Sequence, residues 1–125
     1  MMPVIRAADA PHFEIPGLSV AGLASPSRGT TANSVWRITL AADTPSVPHS
    51  MDKEEIFVAL SGSAVLTLHG EEHDVRPGDT IVVPANETFG LANRAAQPFV
   101  AIAIAGAGVQ ARVTGGETFA PPWTL

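Results

Sequence analysis

Apolar and polar positions alternate along much of this chain, and the alternation comes in short pieces. From Ser34 to Ala41, Val35, Arg37 and Thr39 fall on one face and Trp36, Ile38 and Leu40 on the other. A period of two is the signature of a strand with one face buried. Shorter segments read the same way: Phe13 to Ile15, Leu18 to Ala24, Glu55 to Ser61, Ala64 to His69, His73 to Arg76, Phe89 to Asn93, Phe99 to Ala105 and Val109 to Val113. Thr80 to Val83 is β-branched throughout and stops at Pro84. Between these pieces lie turn signals: Pro16-Gly17, the prolines between Asp43 and Pro48, Gly62, Gly70 and Pro77-Gly78-Asp79. No stretch of ten or more residues carries a period of 3.6. Many short strands at even spacing predict an all-β sandwich or barrel.

Composition narrows the picture. A length of 125 residues suits one domain, residues 1–125, with N-terminal strands in 1–42 and a proline- and tryptophan-bearing tail in 114–125. The tail, Phe119 to Trp123, is expected to pack on the barrel wall. There is no cysteine, which excludes disulfides and thiolate metal sites and is compatible with a cytoplasmic location. Net charge is −5, with Lys53 the only lysine and the arginines scattered. Nucleic acid is therefore not an expected partner, because phosphate backbones call for clustered basic charge. Met1 to Arg6 shows no basic stretch followed by an apolar core, so no signal peptide is expected. The longest uncharged apolar run, Phe99 to Val109, is far short of the ~20 residues of a spanning helix, and no membrane role is expected.

Two stretches resemble the paired motifs of the cupins. In the first, His49 matches the leading histidine, Glu55 the carboxylate and Gly62 the closing glycine, while Met51 stands at the second histidine and Asp43 at the opening glycine. In the second, Gly78, Pro84 and Asn93 match, Asn86 replaces a glycine, and Phe89 stands where the third histidine belongs. Asn tolerates a positive φ better than most residues, so the change at 86 is mild. The resemblance implies a double-stranded β-helix, the cupin-type jelly-roll barrel. It does not imply one activity, since the family spans dioxygenases, isomerases, decarboxylases, epimerases and storage proteins.

The departures bear on function. In the family, three histidines and a glutamate converge on one metal ion inside the barrel. This chain keeps two of those donors, whereas metal sites of this kind need at least three nitrogen or oxygen ligands. His49 and Met51, two apart on a strand, should both face the lumen, with Glu55 beyond a short turn and Phe89 entering from a facing strand. The expectation is a barrel with no metal cofactor that binds a small molecule. Its candidate catalytic pair is His49 and Glu55, lined by Trp36, Met51, Phe57, Phe89 and Leu91. In the plainest arrangement His49 hydrogen-bonds Glu55, and desolvation in an apolar pocket moves either pKa toward neutrality. The alternatives are a metal-dependent dioxygenase- or isomerase-like enzyme with a reduced ligand set, completed if at all by His12, and a non-catalytic assembly role. His69 and His73 are expected at a solvated hairpin tip. A homodimer is expected as well, because Phe99 to Ala105 would leave an apolar sheet edge to protect.

Overall fold

The computed structural model describes residues 3–125; Met1 and Met2, the start of the segment read for a signal peptide, lie outside the described residues. Twelve strands follow one another among the described residues: β1 His12–Ile15, β2 Leu18–Ala24, β3 Asn33–Leu40, β4 His49–Met51, β5 Glu55–Ser61, β6 Ala64–Leu68, β7 Glu71–Val75, β8 Thr80–Val83, β9 Phe89–Ala92, β10 Phe99–Gly106, β11 Ala111–Val113 and β12 Thr118–Phe119. Among the described residues helical structure is confined to three single 3₁₀ turns at Ala7–Asp9, Pro26–Arg28 and Pro122–Thr124. None of the helices is long and apolar enough to cross a membrane.

The strands form two six-stranded antiparallel sheets, ordered β1-β2-β3-β10-β5-β8 and β12-β11-β4-β9-β6-β7. Chain neighbours cross from one sheet to the other, as β5 and β6 do, and this crossing makes the architecture a jelly-roll barrel. The crossing at Gly62 needs glycine for two reasons. Its φ is +74°, and a Cβ there would collide with the Pro98 carbonyl. Asp43 and Asn86, which stand where the motifs have glycine, also have positive φ, 54° and 66°. Both are residue types that tolerate the left-handed region.

Strand β3 alternates as its sequence predicts: Trp36, Ile38 and Leu40 are buried, while Val35, Arg37 and Thr39 are half-buried on the outer face. The core lies between the sheets, around Phe57, Phe89, Phe99 and Val83. One expectation is overturned here. Phe99–Gly106 is no edge; it pairs with β3 on one side and β5 on the other, at the centre of its sheet. Its inward side carries Ala101, Ala103 and Ala105, and the larger Val100, Ile102 and Ile104 face outward. With apolar residues on both faces, alternation cannot report where in a sheet the strand sits.

Asn93 ties the end of β3 to the connection between β9 and β10. Its Nδ2 donates to the carbonyls of Leu40 (3.1 Å) and Gln97 (2.8 Å), and its Oδ1 accepts from the Ala95 amide (3.0 Å). The side chain is 1 % exposed, and its bond to Leu40 is fully buried, while those to Gln97 and Ala95 are partly so.

Candidate functional site

An apolar cavity of about 230 Å³ opens between the sheets. Its walls include Trp36, Ile38 and Leu40 of β3, Met51 of β4, Phe57 of β5, and Phe89 and Leu91 of β9. Trp123 and Pro121 of the tail close part of it from outside, with the Trp123 ring 6.0 Å from that of Phe13. Glu55 is the one residue with a formal charge among those that line the cavity, and His49 is the other ionisable group. All seven residues proposed from the sequence line this one space.

The two ionisable groups come from opposite sheets. His49 opens β4, and Glu55 opens β5 after the turn at 52–54. Strand β4 is held on both sides: His49 pairs with Val113 of β11 and Phe89 of β9, and the Asn86 amide donates to the Met51 carbonyl at 2.7 Å. Asp52 then locks the turn, its amide donating to the Gln110 carbonyl and its carboxylate accepting from the Gln110 amide.

Two sequence expectations are corrected by this geometry. His49 does not hydrogen-bond Glu55; its Nδ1 lies 2.9 Å from the Val47 carbonyl oxygen. Nor is the pair among the ion pairs of the described residues, which are His69–Glu87, His73–Glu71 and Arg94–Glu72. Phe89 does not face His49 across the lumen but is its register partner on the adjacent strand, the rings 4.4 Å apart and tilted by 48°. Phe57 completes the stack, edge-on to Phe89 at 5.9 Å.

These contacts determine protonation. A carbonyl oxygen can only accept, so the His49 Nδ1 in that bond carries the hydrogen and Nε2 keeps its lone pair. Burial lowers the His49 pKa, partly countered by the Val47 bond, and the ring is neutral at pH 7. Glu55 is 3 % exposed, and its Oε1 is buried with no hydrogen-bond partner. Desolvation alone pushes its carboxyl up to about 8, so at pH 7 it is mainly the protonated acid. The cavity thus holds an acid with a proton to give and a base with a lone pair to use.

At the family's metal position the chain keeps two nitrogen or oxygen donors, His49 and Glu55, beside Met51 and Phe89. Among the described residues no three His, Asp or Glu side chains gather into a cluster that could hold one. His12 is exposed on β1 and is not part of the cavity wall. His69 sits in the turn at the hairpin tip with its side chain 60 % exposed, whereas His73 lies not at the tip but within β7 opposite Leu66, its side chain 51 % exposed. A second, wider cleft of about 500 Å³ lies beside that tip, between Ser46, His69, Glu87 and Gly90.

Sequence reasoning missed part of the wall. Ile38 and Leu40 share the face already assigned to Trp36, so alternation could have supplied them. Ile15, Val47, Val113, Phe119 and Trp123 carry no local signal, because strand pairing alone brings these distant segments to one opening.

The two sheets thus form an all-β barrel around an apolar cavity that is open at one mouth. The family model described as a cupin domain matches residues 36–105, more than half of the chain, and the chain belongs to the cupins. Comparison with curated protein sequences returns no match. Among solved structures, the polyketide cyclase RemF from Streptomyces resistomycificus is 20 % identical with a TM-score of 0.80, covering 98 % of this chain and 89 % of its own. A cupin-superfamily sugar phosphate isomerase from Silicibacter pomeroyi is 22 % identical, TM-score 0.68, covering 78 % and 66 %. A salicylate 1,2-dioxygenase from Pseudaminobacter salicylatoxidans is 18 % identical, TM-score 0.72, covering 86 % of this chain and 33 % of the larger enzyme. At these identities the likeness is one of fold.

Proposed function

We propose that the barrel binds a small, largely apolar carbonyl compound and catalyses its enolisation by metal-independent acid–base chemistry. One observation carries this reading: a buried carboxyl whose Oε1 has no hydrogen-bond partner shares an apolar cavity with a histidine that bonds a backbone carbonyl through Nδ1 and leaves Nε2 for other use. A carboxyl in that state costs stability unless something that enters the cavity uses it. A carbonyl oxygen is a suitable entrant, because it accepts the Glu55 proton without bringing a charge.

The common step is simple. His49 Nε2 takes a proton from the carbon beside the carbonyl, and the C–H electron pair moves into a new C=C bond. The carbonyl π pair moves onto oxygen, which takes up the Glu55 hydrogen. Returning the proton to a different carbon isomerises the substrate. Attack of the enol carbon on a second carbonyl in the same molecule closes a ring. An isomerase and a polyketide cyclase stand among the proteins of similar fold, and both readings share this step. The cavity is larger than the roughly 150 Å³ that admits a benzene ring, so one ring with a carbonyl substituent is a fitting size.

The test is exchange of the methyl protons of acetophenone in D₂O, followed by proton NMR. Wild-type protein is expected to speed exchange above buffer, and His49→Ala to reduce that by about 100-fold or more. Glu55→Gln is expected to lower it too, since an amide is a far weaker acid. Exchange at the buffer rate, or at wild-type rate in both variants, would overturn the proposal.

A further inference from the structure

Nine large hydrophobic side chains are markedly exposed among the described residues, and four of them ring the mouth of this one cavity. They are Ile15 (52 %), Val47 (57 %), Val113 (41 %) and Phe119 (46 %), contributed by β1, the segment before β4, β11 and β12. Scattered exposed hydrophobics need no explanation, but a group that converges on a pocket marks where an apolar partner lies.

The rim is continuous with the ionisable pair. Val113 is the register partner of His49, and Val47 supplies the carbonyl that His49 bonds. Burial rises from mouth to floor: the rim residues are about half exposed, His49 is half-buried, and Glu55 is 3 % exposed. No charged side chain joins the wall between rim and Glu55. A ligand filling only the 230 Å³ cavity would leave this apolar mouth in water.

We infer that the substrate is longer than the cavity: an uncharged molecule whose carbonyl end reaches Glu55 and whose apolar tail lies across Ile15, Val47, Val113 and Phe119. The inference rests on the acid–base reading of the cavity and adds the class of molecule it takes. Specificity then divides in two. The floor selects a carbonyl-bearing head by hydrogen bonding, and the rim selects an apolar tail by area.

The experiment uses 4-alkylacetophenones with tails from zero to eight carbons. Binding is read from intrinsic fluorescence, because both tryptophans of the chain, Trp36 and Trp123, line the cavity. Affinity is expected to rise about twofold to fourfold per methylene over the first several carbons, fourfold being full burial of a CH₂, and then to level off. In the double variant Val47→Ser, Phe119→Ser the gain is expected to fall below about 1.5-fold per methylene. That gain is a ratio within one protein, so a change in folded fraction does not imitate it. Binding of every compound with no gain along the series overturns the tail and leaves the acid–base reading standing. Failure to bind at any length overturns the reading of the cavity and the inference with it.

Discussion

Glu55→Gln replaces a group that must hold a proton to stay buried with one that never titrates, and the consequence for stability has a definite sign. In the folded protein Glu55 releases its proton at about 8, whereas its ordinary value is 4.5. Between these values the folded state binds more protons than the unfolded chain. Stability therefore falls as pH rises from about 4.5 and levels off above about 8. At roughly 1.4 kcal/mol per pH unit, the interval amounts to about 5 kcal/mol, a large part of the 5–15 kcal/mol of a typical domain. About 3 kcal/mol of it is already lost at pH 7. His49 acts in the opposite sense: its lowered folded pKa removes stability as pH drops through 6.5, where the unfolded ring takes up a proton. That contribution is common to wild type and variant and cancels between them. Urea denaturation of both proteins at pH 5, 7 and 9, followed by tryptophan fluorescence, isolates the Glu55 contribution. The stability of Glu55→Gln relative to wild type is expected to climb by about 4 kcal/mol from pH 5 to pH 9. Curves that stay parallel within about 1 kcal/mol would refute the protonated acid. A difference of opposite sign would mean that a cation holds Glu55 ionised in the folded state.

Three further outcomes are expected. Met51→His, Phe89→His would return two imidazoles to the wall that already holds His49 and Glu55, so added Ni²⁺ or Zn²⁺ should raise its thermal midpoint by several degrees while leaving wild type within about one degree; an equal rise in wild type would contradict the donor-set argument. Asn93→Ala leaves two carbonyls and one amide without their buried partner, at a combined cost of about 3 kcal/mol by urea denaturation, and a loss under 1 kcal/mol would contradict the clamp. A homodimer is expected on the outer face of the first sheet, where Val35, Ile104, Ile56 and Val82 line up across four strands; sedimentation at tens of micromolar should show a dimer that Ile104→Glu makes monomeric, and a monomeric wild type would remove the proposal.

The parts of the fold visible in the sequence are those that local periodicity specifies. Thr80 to Val83 is a strand with those bounds, and β3 begins and ends one residue early. Asn86 takes the positive φ that its place in the motif suggested. What could not be read is pairing at long range. His49 and Glu55 are six apart, which reads as proximity, yet the turn between them sends each to a different sheet. The partner His49 does find is a backbone carbonyl, and no side-chain pattern announces one. Thr118–Phe119 is too short for alternation, and it is a strand only because Ala111–Val113 lies beside it. The rim, assembled from residues 15, 47, 113 and 119, has no footprint in the sequence shorter than the chain itself.

Met51 and Phe89 do more than withhold two ligands. A divalent ion beside Glu55 would stabilise its carboxylate and hold its pKa low. Met51 and Phe89 are 5 % and 1 % exposed, and they replace polar surroundings with a thioether and a ring. Desolvation then dominates, and the carboxyl becomes an acid near neutral pH. Phe89 also packs its ring against His49 and helps to bury it, which lowers the pKa of the imidazole and favours the neutral base. Burial in this apolar wall thus underlies both shifts, upward for the acid and downward for the base, with Phe89 in direct contact with the base. A Phe89→Ser variant, which admits water at this point, should move both pKa values back toward their ordinary values, whereas a Met51→Leu variant should leave them where they are.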